Sequence, residues 1–140
     1  MRPLDPQDLV KIVEEQARDF GTARKPRILV VEDEETSRLL LCTVLSNFGT
    51  CEIGSDGQLA LQAYHAALDE GRPFDLICLD IKLPGMDGGK VLKYLRRHEA
   101  VTKPTTAVKV VVISGVRAPE QVLDMYRLGC QGYLMKPRRS

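Results

Sequence analysis

The sequence predicts an α/β fold, a parallel sheet enclosed between helical layers, on three observations. Short continuous apolar runs alternate with longer stretches whose apolar residues recur every three or four positions. Gly, Pro and Asp clusters punctuate nearly every change of period. Strands alternating with helices in one chain imply a sheet covered on both faces. A chain of 140 residues, 44% hydrophobic, is long enough for one domain with its own core and no staple.

The elements follow in order. RILVV at Arg27–Val31 reads as a strand buried on both faces. Residues 34–48 carry Leu39, Leu40, Val44, Leu45 and Phe48 at helical spacing, and Gly49 stops them. Residues 50–53 form a short strand. Ser55 or Asp56 then caps a helix bearing Leu59, Ala60, Ala63, Tyr64 and Ala67, ending near Gly71 and Pro73. Residues 74–79 are the next apolar strand, followed by the polar loop DIKLPGMDGG. Asp87 caps a helix through Val91, Leu92 and Leu95, with Arg96 and Arg97 expected near its negative end. VKVVVI at 108–113 is a strand, Pro119–Leu128 a helix stopped by Gly129, and Gly132–Met135 a last short strand. Residues 21–26 read as a linker, dividing an N-terminal helical segment (1–24) from one domain (25–140).

Composition narrows the function. With 20 Lys+Arg against 19 Asp+Glu, nothing points to nucleic acid or an acidic membrane as the main partner. There is no run of about 20 apolar residues to span a bilayer. The N-terminus lacks the apolar core of a secretory signal, so a cytoplasmic location is expected. Cys42, Cys51, Cys78 and Cys130 form no CxxC pair and read as reduced thiols. His65 and His98 are expected on solvated helix surfaces.

Chemistry in an open parallel sheet collects beyond the carboxyl ends of its strands. Those positions hold Glu32 and Asp33, Asp80, Ser114 and Lys136. Three carboxylates on one rim repel each other unless a cation lies among them, and Mg²⁺ or Mn²⁺ suits oxygen ligands best. A lysine and a hydroxyl at the same point would complement a phosphoryl group. Singly, Asp33 reads equally well as a helix cap, Ser114 as a turn residue, and Lys136 as a solvated charge. Pro84 and Gly85 set a turn after Asp80, and Gly115 leaves space beside Ser114.

The motifs VVEDE (30–34), LDIKLPGMDG (79–88), VVISG (111–115) and GYLMKP (132–137) closely resemble the receiver domain of two-component response regulators. The resemblance covers residues 25–137. It implies a flavodoxin-like, doubly wound three-layer sandwich with strand order 2-1-3-4-5. It also implies that Asp80 is the phosphoacceptor, and that Glu32, Asp33, Asp80 and the carbonyl of Lys82 hold Mg²⁺ (or Mn²⁺). Ser114 and Lys136 match the hydroxyl and lysine that contact phosphoryl oxygens, Tyr133 matches a switch aromatic, and Lys136–Pro137 matches a bond usually cis. The implied role is a signalling phosphoacceptor rather than an enzyme acting on an external substrate. The implied partners are a sensor histidine kinase or histidine phosphotransfer protein and a downstream protein target, with a homodimer open.

Two other classes stay in view. A pseudo-receiver, docking without phosphorylation, would need none of Glu32, Asp33, Asp80, Ser114 and Lys136. A flavodoxin-type cofactor binder would want a Ser/Thr/Gly-rich loop where EDEET stands. Receivers normally end with a helix after strand 5, whereas only four residues follow Lys136 here. One helix on one sheet face and three on the other would leave an apolar patch. Residues 6–20, with Leu9, Ile12, Val13, Ala17 and Phe20 on one face, are expected to cover it, in the same chain or swapped between two.

Overall fold

The computed structural model describes residues 25–105 and 107–136, together with Val10, Lys11 and Glu14 of the preceding segment. Its elements are β1 (Arg27–Val31), α1 (Glu35–Leu45), β2 (Thr50–Gly54), α2 (Gly57–Asp69), β3 (Leu76–Asp80), α3 (Gly88–Thr102), β4 (Lys109–Ser114), α4 (Pro119–Leu128) and β5 (Gly132–Met135). The strands form one parallel sheet in the order β2-β1-β3-β4-β5. This is the doubly wound, flavodoxin-like α/β fold expected from the sequence.

Strand alternation sorts the core into two halves. On one face Leu29, Val31, Ile77, Leu79, Val110, Val112 and Tyr133 meet the buried sides of α2, α3 and α4. On the other, Ile28, Val30, Leu76, Cys78, Val111, Ile113 and Leu134 meet Leu41 and Leu45 of α1. The apolar runs are continuous because both faces are covered. The expected N-terminal helix and the Lys136–Pro137 bond fall mainly on residues outside those described; Val10, Lys11 and Glu14 are helical.

Several boundaries differ from the sequence reading for local reasons. α1 stops at Leu45 rather than Phe48, because Ser46 and Asn47 turn their side chains back onto its last carbonyls: Ser46 Oγ to Cys42 O (2.6 Å) and Asn47 Nδ2 to Val44 O (3.2 Å). Asp56, not Ser55, caps α2 by accepting from Leu59 N at 2.8 Å. α3 runs to Thr102, so Arg96 and Arg97 lie in its interior and not at its negative end. Arg96 serves a neighbouring helix instead. Its guanidinium donates to Gly129 O at 3.1 and 2.8 Å, closing the end of α4, and to Val108 O at 2.8 Å ahead of β4.

The cysteines are free, with Cys78 and Cys130 buried and Cys42 and Cys51 half-buried. Burial pushes the Cys78 thiol up to about 12 and Cys130 up to about 11, which keeps them protonated and inert. Among the described residues, no helix is long and apolar enough to cross a membrane.

Candidate functional site

The sheet delivers its acids to one rim by register. Val31 pairs with Leu79 and with Gly54, so Glu32 and Asp80 emerge side by side from β1 and β3. Asp80 pairs with Ile113 and Ser114 with Met135, which brings Ser114 and Lys136 to the same edge. Glu32, Asp33 and Asp80 each offer a carboxylate oxygen, all within 4.8 Å of one another. Glu32 and Asp80 are buried, at 0% and 4% exposure, whereas Asp33 is open to solvent.

One ammonium joins two of these carboxylates. Lys136 Nζ donates to Asp80 Oδ2 at 2.9 Å and to Glu32 Oε1 at 3.0 Å. It also lies 2.8 Å from Glu32 Oε2, but in a direction that makes no hydrogen bond, so Oε2 is a buried oxygen with no donor aimed at it. Burial drives the Glu32 carboxyl up to about 7; the hydrogen bond from Lys136 opposes this and the charge of Asp80 adds to it. Burial also lowers the Lys136 pKa, but the two carboxylates outweigh that and hold it above its ordinary value. The Lys136 ammonium thus bonds two of the three clustered acidic groups. An oxygen without a donor, two buried carboxylates and one exposed carboxylate fit a hard divalent cation that keeps part of its water shell.

Local backbone shapes the pocket. Arg38 Nη1 holds the carbonyl of Asp33 at 3.2 Å, and Glu34 N–H donates to Glu32 Oε1 at 3.1 Å. The cap position of α1 is Glu34, which makes no side-chain cap bond, so Asp33 is not consumed as a cap. Asp80 Oδ1 accepts from Lys82 N–H at 3.2 Å. The loop after Asp80 turns through Gly85, whose φ is +78°, and closes with Met86 N–H on Pro84 O at 2.9 Å.

Gly88 is a site-shaping residue that the sequence reading did not single out. A Cβ there would overlap the carbonyl oxygen of Asp80 and reach 2.7 Å from Ile81 Cα. Its N–H donates to Ile81 O at 2.7 Å. A close backbone approach therefore seats the start of α3 against the end of β3. The GG pair after the Asp87 cap was the available signal. At Gly115, by contrast, a Cβ would meet nothing within 4 Å, so the space beside Ser114 is open as expected.

Ser114 is buried, and its Oγ accepts from Val116 N–H at 3.0 Å, so it closes a short turn as well as facing the rim. Tyr133 points inward, with its hydroxyl donating to Val116 O at 2.7 Å. The histidines correct the sequence reading. His65 and His98 are half-buried between α2 and α3, with ring centroids 4.9 Å apart. His98 Nδ1 shares a hydrogen bond with Tyr64 and His65 Nε2 shares one with Tyr94. Aromatic residues on facing helices drew them in, a pairing invisible to the periodicity of either helix alone.

A model of the response regulator receiver domain matches residues 28–140. The chain belongs to that family, the signalling module of two-component and phosphorelay systems. Over 117 residues it is 30% identical to the sensor histidine kinase GacS of Pseudomonas protegens, a match covering 83% of this chain and 12% of that protein. The chain therefore spans only a small part of that relative's length. Among solved structures, it is similar to the Mn(2+)-bound form of response regulator Rcp1, with 30% identity and a TM-score of 0.66 over 81% of this chain and 83% of that one. It is also similar to the phosphorylated cyanobacterial phytochrome response regulator RcpA, with 26% identity and a TM-score of 0.70 over 82% of this chain and 83% of that one.

Proposed function

We propose that this receiver is a phosphoacceptor, taking a phosphoryl group onto Asp80 from a phosphohistidine of a sensor histidine kinase or histidine phosphotransfer protein. The observation that carries this reading is the placement of Lys136 Nζ between buried Asp80 and Glu32 with Asp33 alongside. A docking module has no use for such a costly cluster of buried charge.

An Asp80 carboxylate oxygen attacks phosphorus, the phosphorus–nitrogen bond to the donor imidazole breaks, and its electron pair returns to the ring, which takes up a proton. Such transfers depend mainly on alignment and on neutralising charge on the transferring group. Glu32, Asp33, Asp80 and the carbonyl of Lys82 would hold Mg²⁺, or Mn²⁺, which supplies part of that neutralisation when bound. Lys136 supplies the rest from the protein. Ser114 stands at the same edge, where its hydroxyl can donate to a phosphoryl oxygen. The open space at Gly115 admits the donor side chain or a hydrolytic water.

The added charge of about −1.5 to −2 biases the loop after β4 and, through it, Tyr133 and α4. Leu123 and Tyr126 are exposed apolar side chains of α4 and suit a protein-reading surface. Treatment with acetyl phosphate and Mg²⁺ is expected to add one phosphoryl mass to the intact protein, and excess chelator is expected to abolish it. An adduct indifferent to chelator would contradict the metal requirement. No adduct from either acetyl phosphate or a phosphohistidine donor would favour the phosphorylation-independent docking module.

A further inference from the structure

The segment joining β4 to α4 touches the site through Val116 and Arg117, neither of which the resemblance assigns a role. Lys136 lies just beyond the end of β5. Its N–H donates to Ser114 O at 2.9 Å, one ladder bond past the Ser114–Met135 pair, and its carbonyl accepts from a side chain, Arg117 Nη2, at 2.8 Å. The other arm of the same guanidinium, Nη1, lies 3.1 Å from Met135 Sδ. Arg117 is half-buried and uses its planar fork to span two consecutive residues of the opposite element.

The neighbouring residue serves the same loop. Val116 N–H donates to Ser114 Oγ, and Val116 O accepts the Tyr133 hydroxyl. Residues 116 and 117 therefore touch Ser114, Tyr133 and Lys136, three of the groups that the phosphoacceptor reading assigns beyond the acids. Val116 has only main-chain groups in this set and would follow wherever the loop went. Arg117 ties the loop to β5 with a side chain of the loop itself.

We propose that Arg117 is a positioning residue, clasping the loop after β4 onto the backbone of Lys136 and so holding Tyr133 inward. The assignment of Tyr133 and Lys136 as parts of a switch rests on the phosphoacceptor reading; the clasp itself does not.

The full chain is used, with the tyrosine rings isotopically labelled and Tyr133 identified by Tyr133→Phe. Arg117→Ala should move the Tyr133 ring resonance of the unmodified, metal-free protein toward an averaged, solvent-exposed value. The Tyr64 and Tyr94 resonances and the thermal midpoint should stay in place. Arg117→Lys, which keeps the charge without the fork, should recover only part of the inward signal. Adding beryllofluoride with Mg²⁺ should restore the inward signal in Arg117→Ala, with affinity weaker than wild type by about fivefold, because binding must now bring the loop in. An unchanged Tyr133 resonance in Arg117→Ala would overturn the proposal, as would a loss of inward signal shared equally by every tyrosine with a lowered midpoint. Failure of the wild-type protein to bind beryllofluoride would count against the phosphoacceptor reading alone, since the first comparison needs no ligand.

Discussion

Glu32 is the residue at which folding and function conflict most directly. Its carboxyl is fully buried, one oxygen lacks a donor, and burial lifts its pKa from an ordinary 4.5 to about 7. The folded, metal-free protein therefore retains a proton there that the unfolded chain releases near pH 4.5. Between those two values the folded state binds more protons, so metal-free stability falls as pH rises from 4.5 toward 7. The loss attributable to Glu32 is expected to be on the order of 2 kcal/mol, and it should be absent in Glu32→Gln. Denaturant unfolding at pH 5.5 to pH 8 (about the range over which such a group titrates) checks this in the presence of chelator. Excess Mg²⁺ should restore stability more at the alkaline end, where Glu32 is ionised and able to coordinate. A metal-free stability that rises through this range in wild type and variant alike would contradict the account. Sequence position alone placed Glu32 at a strand end. Its protonation depends on Asp80 and Lys136, which are 48 and 104 residues away in the chain.

At the scale of elements, the strands and the Asp56 and Asp87 caps were legible because they depend on local composition. β1, β3 and β4 read as continuous apolar runs, and the structure buries both of their faces. Arg96 was not legible. Charge rules for a helix end assign it to α3, but the carbonyls it serves belong to Gly129 and Val108, which only the packing of α3 beside α4 brings near. The same limit applies to Arg117 and to the His65–His98 pair. The lone-helix face poses an elemental question of its own. Val111 and Ile113 on that face are 0% and 1% exposed, although α1 is the one helix described there with buried residues packed on it. The sequence expectation was that residues 6–20 cover this row. Deleting residues 1–24 is therefore expected to lower the thermal midpoint by roughly 5 °C or more and to raise binding of a hydrophobic dye. A truncated protein that stays monomeric, equally stable and dye-negative would show that the row needs no cover from that segment.

For the molecule as a whole, one property of parallel sheets organises the account. Every strand ends on the same rim, so four loops far apart in sequence contribute to one pocket. β1 brings two acids, β3 a third, β4 the hydroxyl, and β5 the lysine. The sheet order places β3 at the centre, with the acids of β1 on one side and the hydroxyl of β4 on the other. The fold and the convergence of Glu32, Asp33, Asp80 and Lys136 on one rim were therefore readable from motif order, whereas the inward placement of Tyr133 was not. Its hydroxyl is held by a hydrogen bond to the loop, which no periodicity encodes. The central claim is that Asp80 is where phosphate is carried. Reduction of the acetyl phosphate-treated protein with borohydride converts an aspartyl phosphate to homoserine, and peptide mass mapping then locates the converted residue. The account predicts homoserine at position 80 alone, absent without Mg²⁺ and absent in Asp80→Asn. Conversion at Asp33 or elsewhere, with Asp80 recovered intact, would contradict it.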